Sequence, residues 1–158
     1  MPVSQTTAYA LLQAFGQLEF ELKRIPEFTG IGPFHSAKAN WRALEAAVDQ
    51  LPAPDFLDRV SVPTRAKLLG GARARPKVQV VAVIHGRNIT RFEELNLDVS
   101  DALALVEATR RVRNNLFHGG KADPLEEPYP GDDEEWALAA GEVAALLLDL
   151  VRRHRLRV

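Results

Sequence analysis

Apolar residues recur at the spacing of a helix face in four stretches of this chain, each bounded by residues that start or stop helices. From Ser4 to Ile25 the repeat is Ala8, Leu11, Leu12, Phe15, Leu18, Leu22 and Ile25, closed by Pro26. Thr29 to Pro33, with Gly30, Gly32 and Pro33, reads as a connector. Ser36 to about Leu51 then predicts a second helix with Trp41, Leu44, Ala47 and Val48 inward, ended by Pro52 and Pro54. A third runs from Asp98 or Ser100 to Gly119-Gly120, with Asp101, Ala102, Leu105, Val106, Thr109, Val112, Leu116 and Phe117 in one arc. The last carries Trp136, Ala139, Ala140, Val143, Leu146, Leu147, Leu150 and Val151. Asp132 to Glu135 at its start and Arg152, Arg153, His154 and Arg155 at its end match the helix dipole.

Between residues 55 and 98 the pattern breaks down. Phe56 to Leu69 reads as one short or broken helix interrupted around Pro63. Val78 to Ile84 is β-branched and flanked by turn signals at Pro76 and at His85-Gly86-Arg87-Asn88, which predicts a small hairpin returning through Ile89 to Phe92, or alternatively a short helix.

With 158 residues and 46% hydrophobic content, the chain is expected to form one domain, residues 1–158, mainly α, with a short irregular or β-hairpin insert around 77–92. It has no cysteine, so disulfides, thiolate nucleophiles and cysteine-type zinc sites are excluded. Met1 to Thr7 lacks the basic start of a signal peptide, and Glu142 and Asp149 interrupt the last apolar helix, so the expectation is a cytoplasmic protein without a membrane span. The formal charge is −1. It is unevenly spread: Arg59, Arg65, Lys67, Arg73, Arg75, Lys77, Arg87 and Arg91 follow one another with no intervening acid, either a docking surface for a polyanion or a solvated loop.

The chemistry-bearing run is Arg113-Asn114-Asn115-Leu116-Phe117-His118-Gly119-Gly120. Arg110, Arg111, Asn114, Asn115 and His118 fall on the polar side of the third helix, whereas Arg113 falls inside the apolar arc, where a plain bundle would place an aliphatic residue. Arg113 either snorkels or pairs with a carboxylate such as Glu19 or Glu21, or it serves a site; His118 either caps the helix or does chemistry. The residue types suit a phosphodiester. Histidine exists in both protonation states near neutral pH, and the arginine fork can hold two phosphate oxygens. His35, His85 and His154 form no HExxH pair or metal-ligand spacing with His118, and neither a P-loop nor a Gly-x-Ser-x-Gly elbow is present, so no metal or cofactor is expected.

The phrase Val112 to Lys121 resembles the Arg-polar-x-x-x-His signature of the HEPN superfamily (higher eukaryotes and prokaryotes nucleotide-binding domain), with Arg113, Asn114 and His118 in the signature positions. The resemblance covers a small part of the chain. It implies an antiparallel up-and-down bundle of four principal helices. It also implies a metal-independent endoribonuclease that leaves a 2′,3′-cyclic phosphate, in the manner of a toxin or defence effector. Catalysis would fall to Arg113, Asn114 and His118, and RNA binding to Arg110, Arg111, Asn115 and Lys121. The implied partners are RNA, a second copy of the chain meeting it through the motif helix, and an antitoxin protein. Where many toxin members carry a tyrosine two residues after the histidine, this chain has Gly120, which removes the site of that regulatory modification. A non-catalytic RNA- or nucleotide-binding module and a structural interaction domain are the alternatives.

Overall fold

The computed structural model describes residues 3–70, 73, 76–117 and 133–156. Helices dominate: α1 (Gln5–Leu22), α2 (Trp41–Asp49), α3 (Val62–Leu69), α4 (Asp101–Phe117) and α5 (Asp133–Arg152). Two antiparallel hairpins accompany them, β1 (Thr29–Ile31) with β2 (Ala37–Ala39), and β3 (Val78–Ile84) with β4 (Arg87–Glu93). The mainly α class is therefore as the periodicity predicts.

The core follows from the helical stripes. Leu11, Phe15, Leu18 and Leu22 of α1 are buried against α5, whose Val143, Ala144, Leu147 and Leu150 are almost fully enclosed. The α5 helix also packs on α3 and α4, and α2 packs on α4. The small residues Ala102, Ala104 and Ala108 of α4 let its neighbours approach closely, and α4 is buried on most sides through Val112.

Two carboxylates of α5 fasten the beginnings of other helices. Ser4 caps α1 through its side chain, and Glu134 accepts from the Ser4 amide at 2.8 Å, the Ser4 hydroxyl at 3.1 Å and the Thr7 hydroxyl. Ser61 caps α3 in the same way, and Glu142 accepts from the Ser61 amide and hydroxyl, both at 2.8 Å, and from the Thr64 hydroxyl at 3.1 Å. Each Ser-x-x-Thr start thus has its free N–H groups and hydroxyls satisfied by a glutamate from the central helix, an arrangement that sets where α1 and α3 begin relative to α5.

Three expected boundaries are corrected. The first helix stops at Leu22 rather than Ile25, because the chain turns there and the Thr29 hydroxyl takes the carbonyls of Lys23 at 3.1 Å and Ile25 at 2.8 Å. The second helix begins at Trp41 rather than Ser36: residues 29–39 pair as a hairpin, Thr29 opposite Ala39 and Ile31 opposite Ala37, and Asn40 then caps α2 through the Ala43 amide. The break expected around Pro63 falls at Val60–Ser61, between a 3-10 turn at Leu57–Arg59 and α3, and Pro63 itself lies in the first turn of α3, where its missing N–H costs nothing. The second hairpin forms where the β-branched run predicts it. Its two-residue turn, His85 at φ 51° and Gly86 at φ 73°, has the paired positive angles of a type I′ turn, whose twist matches the strands. Asp133–Arg152 matches the expected last helix, while the predicted stop of the motif helix at Gly119 and the acidic loop after it lie outside the described residues. Among the described residues no helix is long and apolar enough to cross a membrane.

Candidate functional site

The motif phrase occupies the last turns of α4, which continues unbroken to Phe117. His118 and Lys121 lie outside the described residues. Of the other five predicted residues, the structure brings Arg111, Asn114 and Asn115 to one small cavity and turns Arg113 and Arg110 elsewhere.

Arg113 points toward α1. Its guanidinium lies 3.2 Å from the Glu19 carboxylate and 5.1 Å from the centre of the Phe15 ring, a cation held over an aromatic face. The ion pair lacks the alignment of a hydrogen bond: Glu19 Oε1 and Arg113 Nε are both buried without a hydrogen-bond partner. Of the two partners expected from sequence, Glu19 is the one it meets. About a quarter of the Arg113 side chain remains exposed, so the group sits at a lip and not in the core.

Asn114 is exposed beside a small cavity of about 250 Å³ that it lines with Val78, Gln79, Arg111 and Asn115. In the lining of that cavity the fold has claimed two of the residues expected to face RNA. Arg111, placed on the polar side by periodicity, is in fact buried, at 8% exposure. Its guanidinium donates to the carbonyls of Leu95 and Asn96, lies 3.5 Å from that of Pro76, and pairs with Glu107 at 2.9 Å. Asn115 donates from Nδ2 to the Lys77 carbonyl at 2.7 Å. Together they clamp both ends of the β3–β4 hairpin onto α4. The physical reason is that a segment this long leaves main-chain carbonyls against the helix, and each requires a donor.

Arg110 turns another way, to the wall of a cleft of about 620 Å³ bounded by the β1–β2 hairpin, the start of α2 and α4. It pairs with Glu45 at 3.1 Å and lies 5.1 Å from the Trp41 ring. Burial pushes the Glu45 carboxyl above its ordinary value even though Arg110 beside it pulls the other way. Lys38, Arg42 and Glu107 complete the polar lining. Periodicity missed this cleft because Trp41 and Glu45 meet Arg110 across the α2–α4 contact, and Lys38 joins them from the β1–β2 hairpin, whose first strand read as a Gly- and Pro-rich connector and whose second fell within the expected helix.

Four cations of the basic stretch from Arg59 to Arg91 are paired, three of them with acids distant in sequence. Arg59 pairs with Asp149 at 3.0 Å, Lys67 with Glu135 at 3.0 Å, Arg73 with Asp101 at 2.8 Å, and Arg91 with Glu93. The Arg59 contact holds the Asp149 carboxyl below the usual carboxylate range. Among the described residues no group of three or more His, Asp or Glu side chains is placed to hold a metal ion.

No family model, curated protein or solved structure matches the chain.

Proposed function

We propose that this chain is a HEPN-like domain, an antiparallel up-and-down bundle of four principal helices, that cleaves RNA without a metal ion at the end of α4. The observation that supports this reading is the continuity of α4 to Phe117. Asn114 is exposed near the end of that helix with half-buried Arg113 beside it, while Arg111 and Asn115 are occupied in holding the neighbouring hairpin.

In this reading His118 takes the proton from a ribose 2′-hydroxyl, and the freed oxygen attacks phosphorus. The bond from phosphorus to the 5′-oxygen breaks, a proton is delivered to that oxygen, and a 2′,3′-cyclic phosphate and a 5′-hydroxyl remain. Arg113 offsets the charge that builds on the phosphorane, Asn114 orients the imidazole, and Lys121 holds a flanking phosphate. A second copy of the chain would let two imidazoles share the acid and base steps. The setting is a cytoplasmic toxin or defence effector with an antitoxin partner.

One observation favours the second reading, an RNA-binding module that breaks no bond: the Arg113 charge is already opposed by Glu19. The test is incubation of the purified chain with single-stranded RNA in EDTA, beside His118→Ala. Fragments ending in cyclic phosphate that vanish in the variant support cleavage. Cleavage unchanged in the variant, or requiring added metal, refutes it, and binding that weakens with salt without fragments selects the second reading.

A further inference from the structure

We propose that the outer edge of β4 is the surface through which two copies of this chain associate, strand to antiparallel strand, into one four-stranded sheet. Among the described residues the β3–β4 hairpin is a sheet of two strands, so each strand has an edge with no strand partner among them. The two edges are not equivalent. Strand β3 is the one in contact with α4, whereas β4 is exposed along Arg87 to Arg91. The hairpin also shows solvent large apolar side chains, Val81 at 65% and Val83 at 70% exposure, with Ile84 and Ile89 beside the turn. An isolated two-stranded hairpin is marginal in water, and a further strand supplies what it lacks.

The sequence of β4 selects a second copy as the occupant. In the register of the hairpin, Ile84 faces Arg87 across the two-residue turn, Ala82 faces Ile89, Val80 faces Arg91 and Val78 faces Glu93. A two-residue turn makes its flanking residues a hydrogen-bonded pair, so Arg87, Ile89, Arg91 and Glu93 aim their N–H and C=O groups at β3. Asn88, Thr90 and Phe92 aim theirs outward. An antiparallel two-fold pairing that uses those outward groups centres on Thr90. It sets Thr90 against Thr90 of the other copy and Asn88 against Phe92 as hydrogen-bonded pairs. Arg87 then falls opposite Glu93, and Ile89 opposite Arg91, as the closer non-bonded pairs, in which side chains touch. Opposite charges therefore meet twice, once on each side of the axis, in the class of antiparallel pair whose side chains lie closer, with Glu93 shared between Arg91 of its own strand and Arg87 of the other copy. Strand β3 read the same way about Val81 sets only Val, Ile, Ala and Gln against each other and has no such charge complement. The inference does not rest on cleavage of RNA, and a monomeric chain that still cut RNA would overturn it while leaving the nuclease reading standing.

The experiment uses the full chain. Sedimentation velocity from low micromolar concentration upward is expected to show a monomer–dimer equilibrium. Arg87→Glu alone and Glu93→Arg alone should each weaken it by about tenfold or more, and the double swap should restore it. Because the chain has no cysteine, Thr90→Cys provides an independent reading. Hydrogen-bonded partners lie about 5.5 Å apart at Cα, within the range a disulfide spans, so this variant should form a covalent dimer under oxidised glutathione, much faster than Val83→Cys does. A chain that stays monomeric throughout, a dimer indifferent to both single swaps, Thr90→Cys that cross-links no faster than Val83→Cys, or a dimer trapped instead by Gly16→Cys on the exposed face of α1 would each overturn the proposal.

Discussion

Arg113 reaches from the end of α4 to Glu19 of α1, the two charged groups 3.2 Å apart above the Phe15 ring. The pair explains how a charged residue occupies an apolar arc: the guanidinium stacks on an aromatic face and meets a carboxylate at the surface. It also defines a competition, because a phosphate must draw the same guanidinium away from Glu19. Glu19→Gln should therefore raise RNA affinity several-fold, with folding stability changed by no more than about 1 kcal/mol because both groups are partly exposed. Fluorescence anisotropy with labelled RNA, alongside urea unfolding, checks this. Unchanged or weaker binding would assign Arg113 to the fold alone.

Arg111 holds carbonyls of residues on either side of the β3–β4 hairpin with one planar fork. Arg111→Met removes the donors and leaves partly buried acceptors and Glu107 without their partner, for a loss of about 1–3 kcal/mol in urea unfolding. Arg111→Lys should recover little of it, since one ammonium cannot reproduce the fork.

Asn114 and Asn115 are neighbours with opposite expected behaviour. Asn115→Ala forfeits the bond to the Lys77 carbonyl and should cost about 1 kcal/mol, with faster amide exchange at the start of β3. Asn114→Ala, exposed, should leave stability within about 0.5 kcal/mol while reducing cleavage or binding of RNA. Equal effects of the two on stability would contradict the division of roles.

Glu134 carries a pH dependence. Its carboxyl is held below the ordinary value chiefly by the Thr7 hydroxyl and then by the Ser4 amide. A carboxylate whose pKa is lower folded than unfolded contributes stability above its unfolded pKa and loses it as pH falls through the folded one. The midpoint of thermal unfolding should accordingly drop on acidification below the usual carboxylate range, and Glu134→Gln should flatten that acid limb. Asp149, lowered first by its hydrogen bond from Arg59, adds a contribution of the same sign. An acid limb unchanged in Glu134→Gln would show that the clasp on Ser4 and Thr7 does not hold in solution.

What could be read along the chain was whatever depends on short-range periodicity and local turn chemistry. The stripe of Leu11, Phe15, Leu18 and Leu22, the β-branched run ending at His85-Gly86, and the acids at the start of α5 each declare an element because their spacing and sterics act within a few residues. The pairing of Arg113 with Glu19 was legible as one of two options, since an arginine in an apolar arc demands a carboxylate within reach. Tertiary structure alone decided which polar residues the fold consumes. Arg111 looked solvent-facing until the 76–97 segment lay across it, Asn115 became an anchor for Lys77, and Arg59, Lys67 and Arg73 of the basic run were met by Asp149, Glu135 and Asp101 from elsewhere. Periodicity reports the direction of a side chain about its own helix axis. What waits in that direction, whether water, a carbonyl or an opposite charge, is set by chain segments tens of residues away, and no local pattern encodes it.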